Sequence, residues 1–379
     1  MNESRYGNWT NAKIIQFSVT VVYSTIYALI IAVSLLGNLA VCLVILSTRS
    51  LRRSVNACFI VSLAVSDLMT TCLVASFNLE LTISHNKWSH GEIMCNVYTT
   101  AYLLTVPTSI LTLLALTFYR YRTLQDPLDR FKESPLMTRR RASLVVCILW
   151  AYSILFSLAP VLGWKNFPKS VHNGFCYFNI TLVYSFLSSM LNFVIPVLAS
   201  SCINLRMYHL VLKMSRSPLQ PGVRGTESEP VPFKTTECIS LSAVPENNDE
   251  TTEGKPMEHF CHFPPTERKS RLELNRIQNE TAVSKLKQRR NARAAKTTFL
   301  IVSSFIFCWL PWTSLSITFV FCRECVYTVP NEVSRFLWML GFSNTAINPI
   351  LYSFRSPEFK KAVREIIGKG RTQVKESRL

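Results

Sequence analysis

The chain has 379 residues and a formal net charge of +18, yet only 17% of its residues are charged and 49% are hydrophobic. An ordinary soluble domain carries about a quarter charged residues, so this composition does not fit one. The basic residues lie in short segments between long apolar blocks, which argues against a nucleic-acid-binding surface.

Seven apolar blocks are each long enough to cross a bilayer, since about 30 Å of hydrocarbon takes about 20 helical residues. Within hydrocarbon only helices and closed barrels satisfy their backbone, and blocks without alternation predict helices. The blocks cover approximately residues 14–47, 55–84, 93–119, 142–164, 180–214, 294–321 and 333–354. The sequence therefore predicts an all-α membrane protein, with a seven-transmembrane-helix bundle over residues 14–354.

The distribution of positive charge predicts the orientation of the chain. The loops after the first and third blocks are rich in Arg and Lys, whereas the loops after the second, fourth and sixth blocks carry few, and basic loops face the cytoplasm. This predicts an extracellular N-terminal tail at residues 1–13 and a multi-pass protein of the plasma membrane. Asn2 and Asn8 start glycosylation motifs in that tail, which agrees with the orientation.

Two segments outside the blocks have compositions of their own. Residues 215–284 are rich in proline and mixed charge, which predicts a disordered third intracellular loop. The basic stretch 284–296 predicts an extension of helix 6 into the cytosol. In the tail at residues 355–379, the stretch 358–367 has one apolar face, which predicts an amphipathic helix on the inner membrane lipids.

Four cysteines lie on the predicted outer side, where disulfides persist. A bond between Cys95 and Cys176 would tie the top of helix 3 to the loop before helix 5. Cys322 and Cys325 share one outer loop and could close a small ring.

Asp67 is the deepest charged residue within the predicted helices, where charge is costly and usually functional. Ser109, Asn344, Thr345 and Asn348 are polar residues of other helices that could surround it. One interpretation is a hydrated pocket for a Na⁺ ion. The other is a hydrogen-bonded cluster that only fixes helix packing.

Short motifs follow one another in chain order, about one per helix. They are Gly37-Asn38, Ser62-Leu63-Ala64-Val65-Ser66-Asp67, Trp88 with Gly91 and Cys95, Trp150, Pro196, Phe305 with Cys308-Trp309-Leu310-Pro311, and Asn348-Pro349-Ile350-Leu351-Tyr352. Each motif is weak alone, but the ordered set is specific. Over residues 14–367 the chain resembles the class A, rhodopsin-like G-protein-coupled receptors, and most closely their amine-receptor branch.

The resemblance implies that an extracellular ligand moves helix 6 outward and opens an inner cleft for a heterotrimeric G protein, with arrestin as a further partner. It implies no cofactor other than Na⁺ as an allosteric ion. The implied roles are G-protein coupling and switching at Tyr119, Arg120, Tyr121, Asn291, Asn348, Pro349 and Tyr352, an activation relay at Ile110, Pro196, Phe305 and Trp309, and a Na⁺ site at Asp67, Ser109 and Asn344.

The ligand position departs from the amine receptors, which hold the ligand's ammonium with an aspartate in the outer third of helix 3. That position is Tyr102, and residues 96–105 contain no acid. A buried cation needs a counter-charge, so an atypical neutral or lipid-like ligand is expected. Glu80 and Glu332, near outer helix ends, are alternative counter-charges. The expected pocket residues are Tyr102, Thr105, Val106, Trp309, Trp312 and Phe342.

The inner end departs from the family as well. Tyr119 replaces the aspartate before Arg120, and Asn291 replaces a helix 6 glutamate, so the family's resting ion pairs cannot form there. One interpretation is ligand-independent signalling. Asn204, in place of a helix 5 tyrosine that supports the active state, favours weak coupling instead. A third interpretation is that Arg120 only reaches lipid headgroups.

The sequence thus predicts an orphan-like G-protein-coupled receptor. The alternative is a non-signalling seven-helix protein that heterodimerises with other receptors or directs their traffic. A transporter or an enzyme is not expected, because no inverted repeat, metal cluster, nucleophile or acid–base constellation can be recognised.

Overall fold

The computed structural model describes the backbone of residues 3–125, 138–216, 265–322, 324–355 and 359–366. Within these ranges, the side chains of residues 3–13, 214–216, 265–285, 287–291, 294, 326–327 and 354–355 are outside the description. The chain divides into two compact units, residues 1–212 with 286–379 and residues 213–285. All side-chain geometry below belongs to the first unit.

Long helices account for most of the described backbone. They are α1 (Glu3–Ser47), α2 (Val55–Ile83), α3 (Gly91–Gln125), α4 (Arg139–Leu158), α5 (the consecutive segments Leu182–Ser189, Met190–Val194 and Ile195–Arg216), α6 (Pro265–Phe321) and α7 (Asn331–Arg355). Single helical turns lie at Arg49–Arg52 and Cys325–Thr328, and a short helix lies at residues 359–366. Strands β1 (Val171–His172) and β2 (Phe175–Cys176) form an antiparallel hairpin, with Val171 opposite Cys176.

Among the described residues, six helices are long and apolar enough to cross a membrane, namely α1 to α6 over their apolar parts. Helix α7 has 25 residues and is long enough at about 1.5 Å per residue. Its polar residues Asn344, Thr345 and Asn348 make it less apolar than the others. The predicted seven-helix bundle is confirmed.

Two helices contain a π-helical turn, Thr71–Ala75 in α2 and Met190–Val194 in α5. In α5 the turn comes immediately before Pro196 in the chain. Pro196 has no N–H, so it cannot bond the carbonyl of Asn192 one turn earlier, and the helix is free to widen there. Turns of this kind often lie at functional sites.

Close contacts fix the helices side by side. A Cβ atom on Gly37 of α1 would lie 2.6 Å from Cγ of Pro349 on α7, so only glycine allows this approach. Next to it, Nδ2 of Asn38 donates to the carbonyl of Thr345 at 3.0 Å. Between α4 and α2, Nε1 of Trp150 donates to Oγ of Ser62 at 3.0 Å.

Two helices begin earlier than the sequence suggested. The backbone of α1 is helical from Glu3, within the expected tail, and α6 begins at Pro265. Residues 265–284, at the end of the stretch predicted to be disordered, belong to this helix, and they are rich in strong helix formers and start with a proline suited to a first helical position. Residues 217–264 lie outside the described part. The amphipathic helix after α7 is confirmed at residues 359–366, with Phe359 and Ala362 buried.

Candidate functional site

The hairpin β1–β2 is held against α3 at the end of the bundle that contains Cys95, which we call the outer end. Cys95 and Cys176 form a disulfide, as predicted. The carboxylate of Glu92 accepts the backbone N–H groups of Ser170 and Val171 at 2.7 and 2.9 Å. Cys322 and Cys325 also form their predicted disulfide.

A cavity of about 420 Å³ lies below this hairpin, between α3, α5, α6 and α7. Its apolar walls are largely aromatic and include Tyr102, Phe178, Phe193, Trp309, Trp312 and Trp338. Hydroxyl and amide groups face it from Ser185, Ser188, Ser189 and Asn192 on α5 and from Thr313 and Ser316 on α6. None of the described lining residues is charged. The volume suits a small aromatic molecule.

Tyr102, which the resemblance to amine receptors puts at their anchoring position, lies in the wall of the cavity. Its hydroxyl accepts a hydrogen bond from Nε1 of Trp312 at 3.1 Å. Its ring lies 4.8 Å from Trp338 and 5.3 Å from Phe178, centroid to centroid. The position is thus occupied by a neutral group that is already bonded, and a cationic ligand would find no counter-charge there.

Trp338 of α7 is the centre of an aromatic cluster at the same level. Its ring centroid lies 4.3 Å from that of Trp312 and 5.5 Å from that of Phe342. It also stacks on Phe178 at 5.8 Å, which connects α7 to the loop before α5. Aromatic pairs at such distances add stability beyond their buried area, so these contacts stabilise this wall of the cavity.

Asn192 lies in the π turn of α5 and is 3% exposed. Its Oδ1 accepts the hydroxyl of Tyr152 at 2.9 Å. Its Nδ2 is buried and has no hydrogen-bond partner among the described residues, although Asn192 lines the cavity. A buried donor without an acceptor costs about 1–3 kcal/mol, and a ligand acceptor here would recover that cost.

The cavity includes four of the six expected pocket residues, Tyr102, Val106, Trp309 and Trp312. Thr105 and Phe342 are fully buried and do not line it. The backbone carbonyl of Thr105 accepts Oγ–H of Ser66 on α2 at 2.8 Å. Phe342 lies behind Trp309, with its ring 6.0 Å from the indole.

The sequence interpretation missed the α5 wall of the cavity. Ser185, Ser188, Ser189 and Asn192 lie within the three turns before Pro196, a position that the motif set had already located. Counting helical turns outward from this proline would have placed polar residues at the level of Trp309. The second missed feature, Trp338, is one turn from Phe342 on the same face of α7.

Neither acidic alternative faces the cavity. The Glu80 carboxylate lies 2.7 Å from Nε2 of His90, and both side chains are about 40% exposed. Glu332 is exposed at the start of α7, and its backbone carbonyl accepts the hydroxyl of Tyr23 at 3.4 Å. Both residues are absent from the cavity lining.

The polar cluster around Asp67 lies deeper in the bundle. Asp67 is 1% exposed, and its Oδ2 accepts Nδ2 of Asn348 at 2.9 Å. Ser109 exchanges a hydrogen bond with Ser66 at 2.9 Å. The Oδ1 atoms of Asn344 and Asn348 are buried without a hydrogen-bond partner in the described residues. In that part of the chain, no cationic side chain lies within salt-bridge distance of Asp67, and no cluster of three or more His, Cys, Asp or Glu residues is found.

The expected relay residues are all buried in the bundle. Ile110 and Phe305 are 2% and 1% exposed, and Pro196 is buried. The ring of Phe305 lies 6.4 Å from the ring of Trp309. A Cβ atom on Gly341 would lie 2.9 Å from the Trp309 indole, so the glycine of α7 sets the position of this ring.

At the inner end of α3, Arg120 is half-buried and its neighbours have aromatic contacts of their own. The ring of Tyr119 lies 6.3 Å from Phe59 of α2. The hydroxyl of Tyr121 accepts Nε2–H of Gln125 at 2.7 Å. These contacts lie in the same helical turns as the arginine.

The other predicted inner residues lie on α6 and α7. Tyr352 is 4% exposed, and its hydroxyl has no hydrogen-bond partner among the described residues. Pro349 packs on Gly37. Asn291 lies in the backbone of α6, but its side chain is outside the description, as are the side chains of Asn2 and Asn8. The roles and modifications predicted for these three residues stay predictions.

Comparison with known proteins identifies the class to which this bundle and its cavity belong. The model of the 7 transmembrane receptor (rhodopsin family) matches residues 37–352, which is most of the chain. The chain belongs to this family. It is a G-protein-coupled receptor and a multi-pass membrane protein, and the family is one of receptors rather than enzymes.

The relatives include receptors that are named for amines. An alpha-1A adrenergic receptor of Oryzias latipes is 29% identical over 92% of this chain and 67% of its own length. A 5-hydroxytryptamine receptor 1A-alpha of Takifugu rubripes is 26% identical over 93% of this chain and 89% of its own. A tyramine receptor of Caenorhabditis elegans is 26% identical over 92% of this chain and 85% of its own. The predicted amine-receptor-like membership is confirmed.

Proposed function

We propose that this receptor binds a neutral aromatic molecule in the cavity below the β1–β2 hairpin and signals to a heterotrimeric G protein. The observation that carries the proposal is the character of the cavity. Aromatic rings and hydroxyl groups line it, none of its described lining residues is charged, and Tyr102 stands at the amine-anchoring position.

The names of the relatives favour an amine, and the uncharged lining of the cavity supports a neutral ligand instead of a protonated one. An ammonium group inside this cavity would lose its hydration without gaining a counter-charge, which is strongly unfavourable. At the outer end, Glu80 is paired with His90 and Glu92 accepts backbone N–H groups of the hairpin, and neither residue lines the cavity. A neutral ligand avoids this cost and still gains from ring stacking on Trp309, Trp312 and Trp338.

Hydrogen bonds would orient such a ligand along α5. Asn192 offers a buried Nδ2 donor, and Ser188 and Ser189 offer hydroxyls that either donate or accept. The ligand class is therefore a flat aromatic molecule with at least one acceptor, such as an amide or ester carbonyl.

G-protein activation tests this proposal in cells that express the full chain. Aromatic amines are compared with their N-acetyl counterparts, which keep the ring and remove the positive charge. We expect responses to the neutral member of each pair. A response to the amines alone would refute the proposed ligand class.

We also propose a Na⁺ ion beside Asp67 as an allosteric ligand. A buried carboxylate and the Oδ1 atoms of Asn344 and Asn348 supply hard oxygen ligands, and buried charge is normally paired or metal-bound. Ser109 is held by Ser66, so it would reorient to join them. The same residues also fit the simpler role of a hydrogen-bonded cluster that only fixes helix packing. A sodium titration distinguishes the two roles.

At the inner end, the proposed partner is a G protein, with arrestin as a second partner that competes for the same cleft. Replacement of the family's carboxylates by Tyr119 and Asn291 supports ligand-independent activity. Asn204 in place of the helix 5 tyrosine opposes it. The proposed orientation has the N-terminus extracellular, in the plasma membrane, with glycans on Asn2 and Asn8.

A second candidate function follows from the same differences from the family at Tyr119, Asn291 and Asn204. A seven-helix protein that heterodimerises with other receptors needs no intact coupling motif, and three positions of that motif differ from the family here. This candidate predicts that Arg120→Ala changes nothing in any G-protein assay.

A further inference from the structure

A second cavity, of about 240 Å³, lies between α5 and α6 in their inner halves. It is separate from the ligand cavity, since the two share no lining residue. Its walls are formed by Met207, Tyr208 and Val211 of α5 and by Ala295, Phe299 and Leu300 of α6. These side chains make the middle of the cavity apolar.

The deep end of the cavity holds a polar group that lacks a partner. Asn204 lines the cavity and is 4% exposed, and its Oδ1 is buried with no hydrogen-bond donor among the described residues. A buried acceptor left in this state costs about 1–3 kcal/mol. A ligand hydroxyl that reaches Oδ1 would recover this cost.

The other end is positively charged. Lys296 lines the cavity and is exposed, at the inner end of the membrane-spanning part of α6. Residues 204–212 and 292–300 contain no acidic residue, so the surrounding sequence offers Lys296 no local counter-ion. An anionic group would therefore be attracted to this rim.

The α5 wall of the cavity runs from Asn204 to Val211, which is roughly 10 Å of helix rise at 1.5 Å per residue and a length that a medium-length chain can span. We propose that this cavity binds a linear amphiphile with an anion at one end and a hydroxyl at the other, of the hydroxy fatty acid class. The anion pairs with Lys296, the chain packs between α5 and α6, and the hydroxyl donates to Asn204.

This site goes beyond the outer ligand cavity and does not depend on it. Both walls belong to helices whose inner ends must separate if the receptor opens as its family does. A ligand between them biases that distance, and its effect on affinity at the outer site is reciprocal.

Photo-crosslinking of the full chain in phosphatidylcholine nanodiscs tests the proposal. The probe is ω-hydroxydecanoate with a diazirine at the middle of its chain, and the labelled residues are located by mass spectrometry. We expect label on Met207, Val211 or Phe299. Unlabelled ω-hydroxydecanoate should compete about tenfold better than decanoate or decanol, since each lacks one polar end. Equal competition by all three compounds would overturn the proposal.

Two variants test which end of the probe each residue binds. Asn204→Leu should remove the advantage of ω-hydroxydecanoate over decanoate, and Lys296→Gln its advantage over decanol. The matched control is Arg293→Gln, which removes an exposed cation of the same helix that does not line the cavity. Ala295→Phe should fill the cavity and abolish labelling. If this variant fails to fold, Asn204→Leu and Lys296→Gln still test the proposal.

Two further competitors test whether another anionic compound occupies the cavity. Inorganic phosphate supplies an anion without a chain, and phosphatidate in the nanodisc supplies an anion on a bilayer lipid. Competition by phosphatidate equal to that of ω-hydroxydecanoate would assign the cavity to an ordinary lipid chain and overturn the hydroxyl-specific site. If inorganic phosphate competes as well as ω-hydroxydecanoate, the probe is bound only through the positive charge of Lys296, and the proposal is overturned as well.

Discussion

The phenolic oxygen of Tyr102 on α3 and the indole Nε1 of Trp312 on α6 are 3.1 Å apart and form a hydrogen bond. Both rings face the outer cavity. The bond joins α3 to α6, and Tyr102, which the resemblance to amine receptors puts at their anchoring position, contributes a neutral phenol to it.

Loss of this bond should destabilise the receptor. In Tyr102→Phe the Trp312 N–H remains without its acceptor, and we expect the free energy of unfolding to fall by about 1–3 kcal/mol. Thermal unfolding of the purified receptor measures the change. Tyr177→Phe is the control, because Tyr177 is 51% exposed in the outer loop.

The double variant Tyr102→Phe with Trp312→Phe separates the bond from general packing. Since both partners are then absent, it should lose less than the sum of the two single variants. Strictly additive losses would mean that the bond contributes nothing.

The two disulfides should differ in their contribution to stability. The Cys95–Cys176 bond closes a loop with a sequence separation of 81, and the Cys322–Cys325 bond one of 3. From loop length alone, their stabilising contributions are about 4 and about 2 kcal/mol. We expect Cys95→Ala and Cys176→Ala each to reduce surface expression strongly, and Cys322→Ala to have a smaller effect. Normal expression of the first two variants would be inconsistent with a structural role for their bond.

Sodium should stabilise the receptor through Asp67. An ion that binds only the folded state raises the unfolding temperature with its concentration. We expect a higher unfolding temperature in sodium chloride than in choline chloride of equal concentration. Asp67→Asn keeps the side-chain size and should remove this difference in unfolding temperature. If the difference persists in Asp67→Asn, Asp67 has only a packing role.

Carboxylates restored near Arg120 should lower any basal signal. Tyr119→Asp and Asn291→Glu add attraction between α3 and α6 in the closed arrangement, and 1–3 kcal/mol shifts a two-state population appreciably. Basal cAMP and inositol phosphate are measured for the wild type, the double variant and Arg120→Ala. A raised signal in the double variant would contradict this account, and identical signals in all three would support the non-signalling partner.

The fold was predictable because membrane crossing leaves a strong pattern in composition. Blocks of about 20 apolar residues located all seven helices, and the ordered motifs supported the assignment of the more polar α7. The start of α6 was not predictable from hydropathy, because the residues after Pro265 are polar and helix-forming at once. Composition alone does not distinguish these two properties.

The outer site was predictable only in part. Helix 3 and helix 6 positions such as Tyr102 and Trp312 follow from counting along regular helices. Thr105 and Phe342, which were predicted in the pocket, are buried and do not line this cavity, because the face a residue presents also depends on how its helix is rotated against its neighbours. Asn192 escaped notice since a π turn shifts the faces of α5, and periodicity assumes a regular helix.

The most direct test of the central claim compares the affinities of the purified full chain for tryptamine and N-acetyltryptamine. The wild type should bind the neutral N-acetyl compound at least about tenfold more tightly, and Tyr102→Asp should reverse the preference by supplying a counter-charge. Equal or tighter binding of protonated tryptamine by the wild type would contradict the account, because the cavity would then hold a cation without an acidic residue at Tyr102.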